Sequence, residues 1–264
     1  MCKFKGIFML KYLGFSDSLP EAQGAYSWQH LTFVSSLVLI MFVLAITIGL
    51  YYRKHPEKNK NIPLIWAALL IDGFEICKIV LNCIHAEVPV DSLLVNLPLF
   101  LCSIQLITLP LAAFSSGRLK EAALDFVLIF GLLGALAGTY GAAQNYGTYH
   151  VFYYVNVVSG ITHCISGFGA LYIGVSGMAS LKKRNIGITF GILGFFSIAA
   201  YIVNRVIDYN YMFLMRGDGT PYDILYNLVG GSQVLYPMGV VALFLIYIVA
   251  FYGVHMLISK TKKS

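Results

Sequence analysis

The chain has 264 residues, 58% of them apolar and only 11% charged, with a mean hydropathy of +0.76. No soluble globular domain requires that composition, and the apolar stretches leave no room for a separate soluble module. The net charge of +6 lies in short loops, not in a basic stripe interleaved with exposed aromatics, which excludes a nucleic-acid surface.

Residues 1–27 read as an N-terminal tail. Met1 to Phe15 carries lysines but neither a long apolar core nor a small-residue cleavage site. An interfacial amphipathic segment is expected there, with Phe4, Ile7, Phe8 and Tyr12 toward lipid. Seven apolar segments follow: Trp28 to Tyr51, Ile62 to Ile84, Val95 to Phe114, Ala122 to Ala143, Phe152 to Met178, Ile186 to Ile207 and Val234 to Ile258. Each has the length of a bilayer-crossing helix. The expected fold is all-α: a seven-helix transmembrane domain over residues 28–258 and a basic tail at 259–264, in a multi-pass protein of the cell membrane.

Orientation follows from the basic residues. Arg53, Lys54, Lys58 and Lys60 follow the first segment, Arg118 and Lys120 the third, and Lys182, Lys183 and Arg184 the fifth. Lys260, Lys262 and Lys263 end the chain, and the loops after the second and fourth segments hold no Lys or Arg. Positive loops stay cytoplasmic, so the N-terminus is expected outside and the C-terminus inside. Lys3, Lys5, Lys11 and Arg216 are the minority on the other side.

Ionisable residues within membrane segments are costly and face a bundle interior or a wet cavity. The second segment carries Asp72, Glu75, Lys78 and Asn82, at spacings that place neighbours on adjacent helix faces. Glu75 and Lys78 are read either as a local ion pair or as a cavity wall. In the fifth segment Asn156, Ser159, His163 and Ser166 form one stripe, which turns a packing histidine into a candidate wall of a cavity. The sixth ends in Tyr201, Asn204, Arg205 and Asp208 on one face, followed by Asn210 and Tyr211. Arg205 with Asp208 has the spacing of an interfacial salt bridge.

Depth links three of these segments. At 1.5 Å per residue, Cys102 lies about 10 Å, Glu75 about 14 Å and His163 about 16 Å from the outer ends of their segments. Similar heights are what an enclosed polar site requires. Gly134 and Gly138 form a GxxxG, as do Gly187 and Gly191; both read as packing motifs. Cysteines at 2, 77, 83, 102 and 164 show no CxxC spacing, and the histidines show no ligand spacing, so neither disulfides, metal nor any other cofactor is expected.

The stretch Leu97-Pro98-Leu99-Phe100-Leu101-Cys102 resembles the Leu-Pro-Leu-His-Leu-Cys signature of the YwaF-like integral membrane proteins of bacteria. Asn210-Tyr211-Met212 resembles that family's Asn-Tyr-Met element after the sixth span. The seven-span plan and the Ser-rich fifth segment with its histidine also fit, so the resemblance covers nearly the whole chain. Eukaryotic relatives of that family are described as cysteine-dependent phospholipid acyltransferases. The resemblance implies Cys102 as acyl-accepting nucleophile and His163 as its base. Phe100 stands where the signature has histidine.

A thiol in apolar surroundings stays protonated and inert, so such chemistry needs a neighbouring base. The expected function is a lipid acyltransferase or thioester-forming lipid-modifying enzyme, with membrane lipids as partners and a phospholipid or acyl-coenzyme A as acyl donor. Gln105 and Ser103 are candidate oxyanion or headgroup contacts, and Glu75 is the candidate to orient His163. The alternative is a small-molecule or lipid transporter or binding protein. Its polar intramembrane cavity would be lined from Glu75, Asp72, Ser159, Asn156, Asn204, Arg205, Asn210 and Tyr211. A retinal pigment is disfavoured because the seventh segment lacks a lysine.

Overall fold

The computed structural model of the chain describes residues 9–16, 19–179 and 181–261. Among the described residues every regular element is helical and there is no strand. Phe4, Ile7 and Phe8 of the expected interfacial segment lie outside the described residues. The part that is described forms one 3-10 turn, Lys11–Leu13, and docks on the second helix, where the Leu13 carbonyl lies 2.8 Å from His85 Nε2.

Helix α1 (Trp28–Tyr52) is capped by the Ser27 hydroxyl, which accepts from the His30 N–H. α2 (Glu57–His85) carries Pro63 inside its length. A short α3 (Pro89–Leu94), the ten-residue α4 (Gln105–Phe114), α5 (Gly117–Tyr140) and a short α6 (Ala143–Thr148) follow. Then come α7 (Tyr154–Ser176), α8 (Ile186–Ile207), a short α9 (Tyr222–Leu228) and α10 (Leu235–Thr261). α7 is the hub, packed on α1, α2 and α5. Its buried small residues, including Gly160, Gly167, Gly169 and Ala170, let those three helices approach. α8, α9 and α10 form a second group around Leu193, Tyr211, Tyr236 and Tyr252.

Five stretches are long and apolar enough to cross a membrane: Trp28–Tyr52, Gly117–Thr148, Tyr154–Ser176, Lys183–Ile207 and Leu235–Leu257. Seven were expected, and the two exceptions have physical causes. α2 has the length, but Asp72, Glu75 and Lys78 fall in its middle. The segment Val95 to Phe114 is not one helix. Only Gln105–Phe114 is helical, about 15 Å at 1.5 Å per residue against a hydrocarbon core of about 30 Å.

Pro98 explains the break. It disfavours helical geometry at Leu97 and removes one backbone donor. The freed backbone groups are satisfied by protein, as irregular backbone at membrane depth requires. Tyr211 Oη donates to the Leu94 carbonyl at 2.6 Å and accepts from the Leu97 N–H at 3.1 Å. The depth of Cys102 calculated for a continuous helix therefore does not apply; Cys102 sits in the turn just before α4.

Candidate active site

Two elements bring Cys102 and His163 together. The irregular segment delivers Cys102 at the head of α4, and α7 presents His163 from its polar stripe. The Cys102 thiol lies close enough to the His163 imidazole and the Ser103 hydroxyl to interact electrostatically with both. Both residues line a cavity of about 50 Å³, together with Glu75 and Lys78 from α2, Leu106 from α4, and Ser159, Thr162 and Ser166 from α7. That volume holds a few water molecules or one small polar group.

The histidine is oriented. Its Nδ1 lies 2.7 Å from the Ser159 carbonyl. A carbonyl oxygen only accepts, so Nδ1 carries the hydrogen and Nε2 is left as the basic nitrogen. Glu75, expected to orient His163, does not do so. Its carboxylate pairs with Lys78 at 2.7 Å, and the orienting acceptor is the Ser159 backbone one turn earlier.

α5 supplies the floor. A Cβ built on Gly138 would fall on the His163 ring, and one on Gly134 would lie 3.4 Å from the Cys102 Cβ. The Gly134–Gly138 pair, read from sequence only as packing, is thus the surface on which the thiol and the imidazole both rest. The GxxxG spacing was the available signal; what it packed against was not legible.

The other expected residues divide. Ser103 and Ser159 are at the cavity. Asp72 is half-buried and lies off it. Gln105 is buried, accepts from the Thr108 hydroxyl and has no partner for its Nε2 among the described residues, yet it does not line the cavity. Asn156 is a brace, donating to the Tyr149 and His150 carbonyls, both at 3.1 Å. Asn204 and Tyr211 clasp each other: Asn204 Nδ2 donates to the Tyr211 carbonyl at 3.0 Å, and the Tyr211 N–H donates to Asn204 Oδ1 at 2.7 Å.

Asn210 ties its own loop, donating to the Arg216 carbonyl and to Asp218. Arg205 does not pair with Asp208; it donates to Gln233 at 2.7 Å and to Tyr201 at 3.1 Å. Lys78 and Ser166, from the polar sets of the second and fifth segments, also line the wall, and Thr162 adds to it. Among the described residues no cluster of three or more His, Cys, Asp or Glu side chains is placed to hold a metal ion.

Phe100, at the position where the resembling signature has histidine, does not line the cavity. It sits in an aromatic cluster, 5.0 Å from the Tyr211 ring and 6.2 Å from both Tyr209 and Phe213 between centroids.

No curated protein and no solved structure matches the chain. The YwaF-like resemblance rests on the motifs alone. One family model, described as the TMEM164 family, matches residues 25–255. With the fold and nearly the whole length covered, the chain is an integral membrane protein and belongs to the TMEM164 family.

Proposed function

We propose that the protein is a multi-pass membrane acyltransferase that uses Cys102 as nucleophile and His163 as general base. The single observation that carries this reading is that the thiol and the imidazole face one cavity, with Nδ1 of His163 occupied by a backbone carbonyl and Nε2 left basic.

The chemistry closes without a cofactor. His163 Nε2 takes the Cys102 proton, and the sulfur attacks the ester carbonyl of a donor phospholipid. The C–O bond breaks, the leaving lysophospholipid oxygen takes the proton from His163, and the acyl chain stays on sulfur as a thioester. An acceptor hydroxyl then loses its proton to His163 and attacks the thioester, the C–S bond breaks, and the thiolate recovers the proton. An acyl-coenzyme A donor would give the same thioester and release a thiol. The N-terminal end of α4 favours negative charge at the sulfur. Phe100 removes nothing from the pair, because its position is an aromatic packing site.

The topology belongs to the same proposal: seven passes, the third half irregular, with the N-terminus outside. Its support is the gathering of basic loops at one end. Lys120 donates to Asn61 at 2.8 Å, Arg118 to the Arg184 carbonyl at 2.8 Å, and Lys182 and Arg184 pair with Glu121. The opposite end is tied by Tyr154 to Asn82 at 2.8 Å and by His30 to the Thr139 carbonyl at 3.2 Å. Transport has less to stand on, since Asp72 lies off the cavity and Glu75 is neutralised by Lys78.

The test is transacylation in liposomes holding a donor phospholipid with a labelled acyl chain and a lysophospholipid acceptor. Cys102→Ala should abolish labelled product, and His163→Gln should lower the rate by about 100-fold or more. Undiminished transfer by Cys102→Ala would sink the proposal.

A further inference from the structure

A second cavity, of about 630 Å³, lies between α8 and α10, away from Cys102. Its walls are Gly194, Ser197, Ile198 and Tyr201 on α8 and a run from Pro237 to Leu245 on α10, with Leu214 from the intervening loop. Gly194, Ile198, Tyr201 and Arg205 follow one helical stripe at spacings of four, three and four, so Arg205 continues the lined face one turn beyond the cavity. From Gly194 to Arg205 the stripe runs about 16 Å, close to half of a hydrocarbon core of about 30 Å. The recess together with the turn beyond it therefore measures about one leaflet, is mostly apolar, and has the Arg205 cation beside its Tyr201 and Gln233 end.

The rim is prepared for an anion. Arg205 stands over the Tyr201 ring, 5.4 Å from its centroid. Nη2 is held by Tyr201 and Gln233, and no protein acceptor faces Nε or Nη1 among the described residues. Among the described residues no carboxylate is within ion-pair distance of Arg205. A cation near the C-terminal end of α8 is favoured by the helix dipole, but that does not explain why an open apolar channel ends beneath it.

We propose that the α8–α10 recess binds one phospholipid, with an acyl chain between the helices and the phosphodiester on Arg205. Charge complementarity and the one-leaflet depth select that occupant. A neutral lipid leaves the guanidinium unmatched, and a soluble phosphate leaves the channel empty. Gly194 lines the cavity, and a Cβ placed there meets no atom within 4 Å, so it is the place to block it.

Native mass spectrometry of the delipidated full chain, titrated separately with phosphatidylglycerol, phosphatidylethanolamine and diacylglycerol, tests this site. Wild type should retain one molecule of either phospholipid and release diacylglycerol. Arg205→Gln should weaken retention roughly tenfold to a hundredfold. Gly194→Phe should abolish it, with Ala242→Phe as the second blocking variant if the first unfolds. Equal retention of diacylglycerol, or wild-type retention by Arg205→Gln together with a blocking variant, would overturn the site and identify the bound lipid as a non-specific annulus.

Discussion

At the scale of single residues, the proposed Cys102–His163 pair depends on a missing side chain. His163 is fixed at Nδ1 by the Ser159 carbonyl and rests with its Cδ2 and Nε2 atoms against the bare surface of Gly138. Gly138→Ala puts a methyl group where the ring now lies, so the ring must move. Displacing a reacting group by about 1 Å costs on the order of 100-fold. Gly138→Ala should therefore lower the transacylation rate by about that factor while the protein still folds, whereas Gly134→Ala, with only a 3.4 Å approach to the Cys102 Cβ, should lose far less. Equal rates for Gly138→Ala and wild type would show that the imidazole is not held on this floor. Cys102 and His163 were singled out in the sequence by the family resemblance, and His163 also by its polar stripe. The orienting group was not, because a backbone carbonyl leaves no mark in a sequence and Glu75 offered a more visible candidate.

At the scale of elements, the irregular stretch ahead of α4 is held from far along the chain. Tyr211 follows Leu97 by more than a hundred residues, and its hydroxyl serves both Leu94 and Leu97. The clasp is built on strained backbone: Met212 and Phe213 adopt φ of 54° and 56°, each costing of order 1–3 kcal/mol. The reciprocal Asn204–Tyr211 bonds offset that cost. Tyr211→Phe keeps the ring and removes the hydroxyl, leaving two backbone groups unpaired. It should destabilise the protein by about 1–3 kcal/mol and speed alkylation of Cys102 by a lipid-soluble maleimide. An unchanged alkylation rate would mean that the turn keeps its shape without the clasp. Apolar composition made Val95 to Phe114 look continuous, since proline is tolerated in membrane helices. What ends the helix here is Pro98 combined with a remote tyrosine ready to satisfy the freed backbone, and only the first of these is local.

At the scale of the molecule, two helical groups share the α5 spine. Asp125 on α5 accepts from the Leu181 N–H at 2.9 Å, from Asn185 at 3.1 Å and from Tyr252 at 2.8 Å, tying the hub around α7 to α8 and α10. Asp125 is completely buried, so truncation strands several donors at once. Asp125→Ala should cost about 3 kcal/mol or more, seen as a lowered midpoint of thermal unfolding in detergent. A midpoint equal to wild type would make the network dispensable. The all-helical membrane class and the separation of basic from non-basic loops were legible from composition and loop charge. The joining of the two groups was not, because Asp125 sits in a segment whose apolar neighbours give no sign of a buried acceptor.

If Cys102 carries acyl chains, intact mass reads them directly. Wild type, purified with native lipid and incubated with phospholipid, should show an added mass equal to a fatty acyl chain. Hydroxylamine should remove that mass, Cys102→Ala should lack it, and peptide mapping should place it on Cys102. A wild-type mass that stays unmodified with both phospholipid and acyl-coenzyme A, or an adduct that survives in Cys102→Ala, would mean that Cys102 is not an acyl carrier.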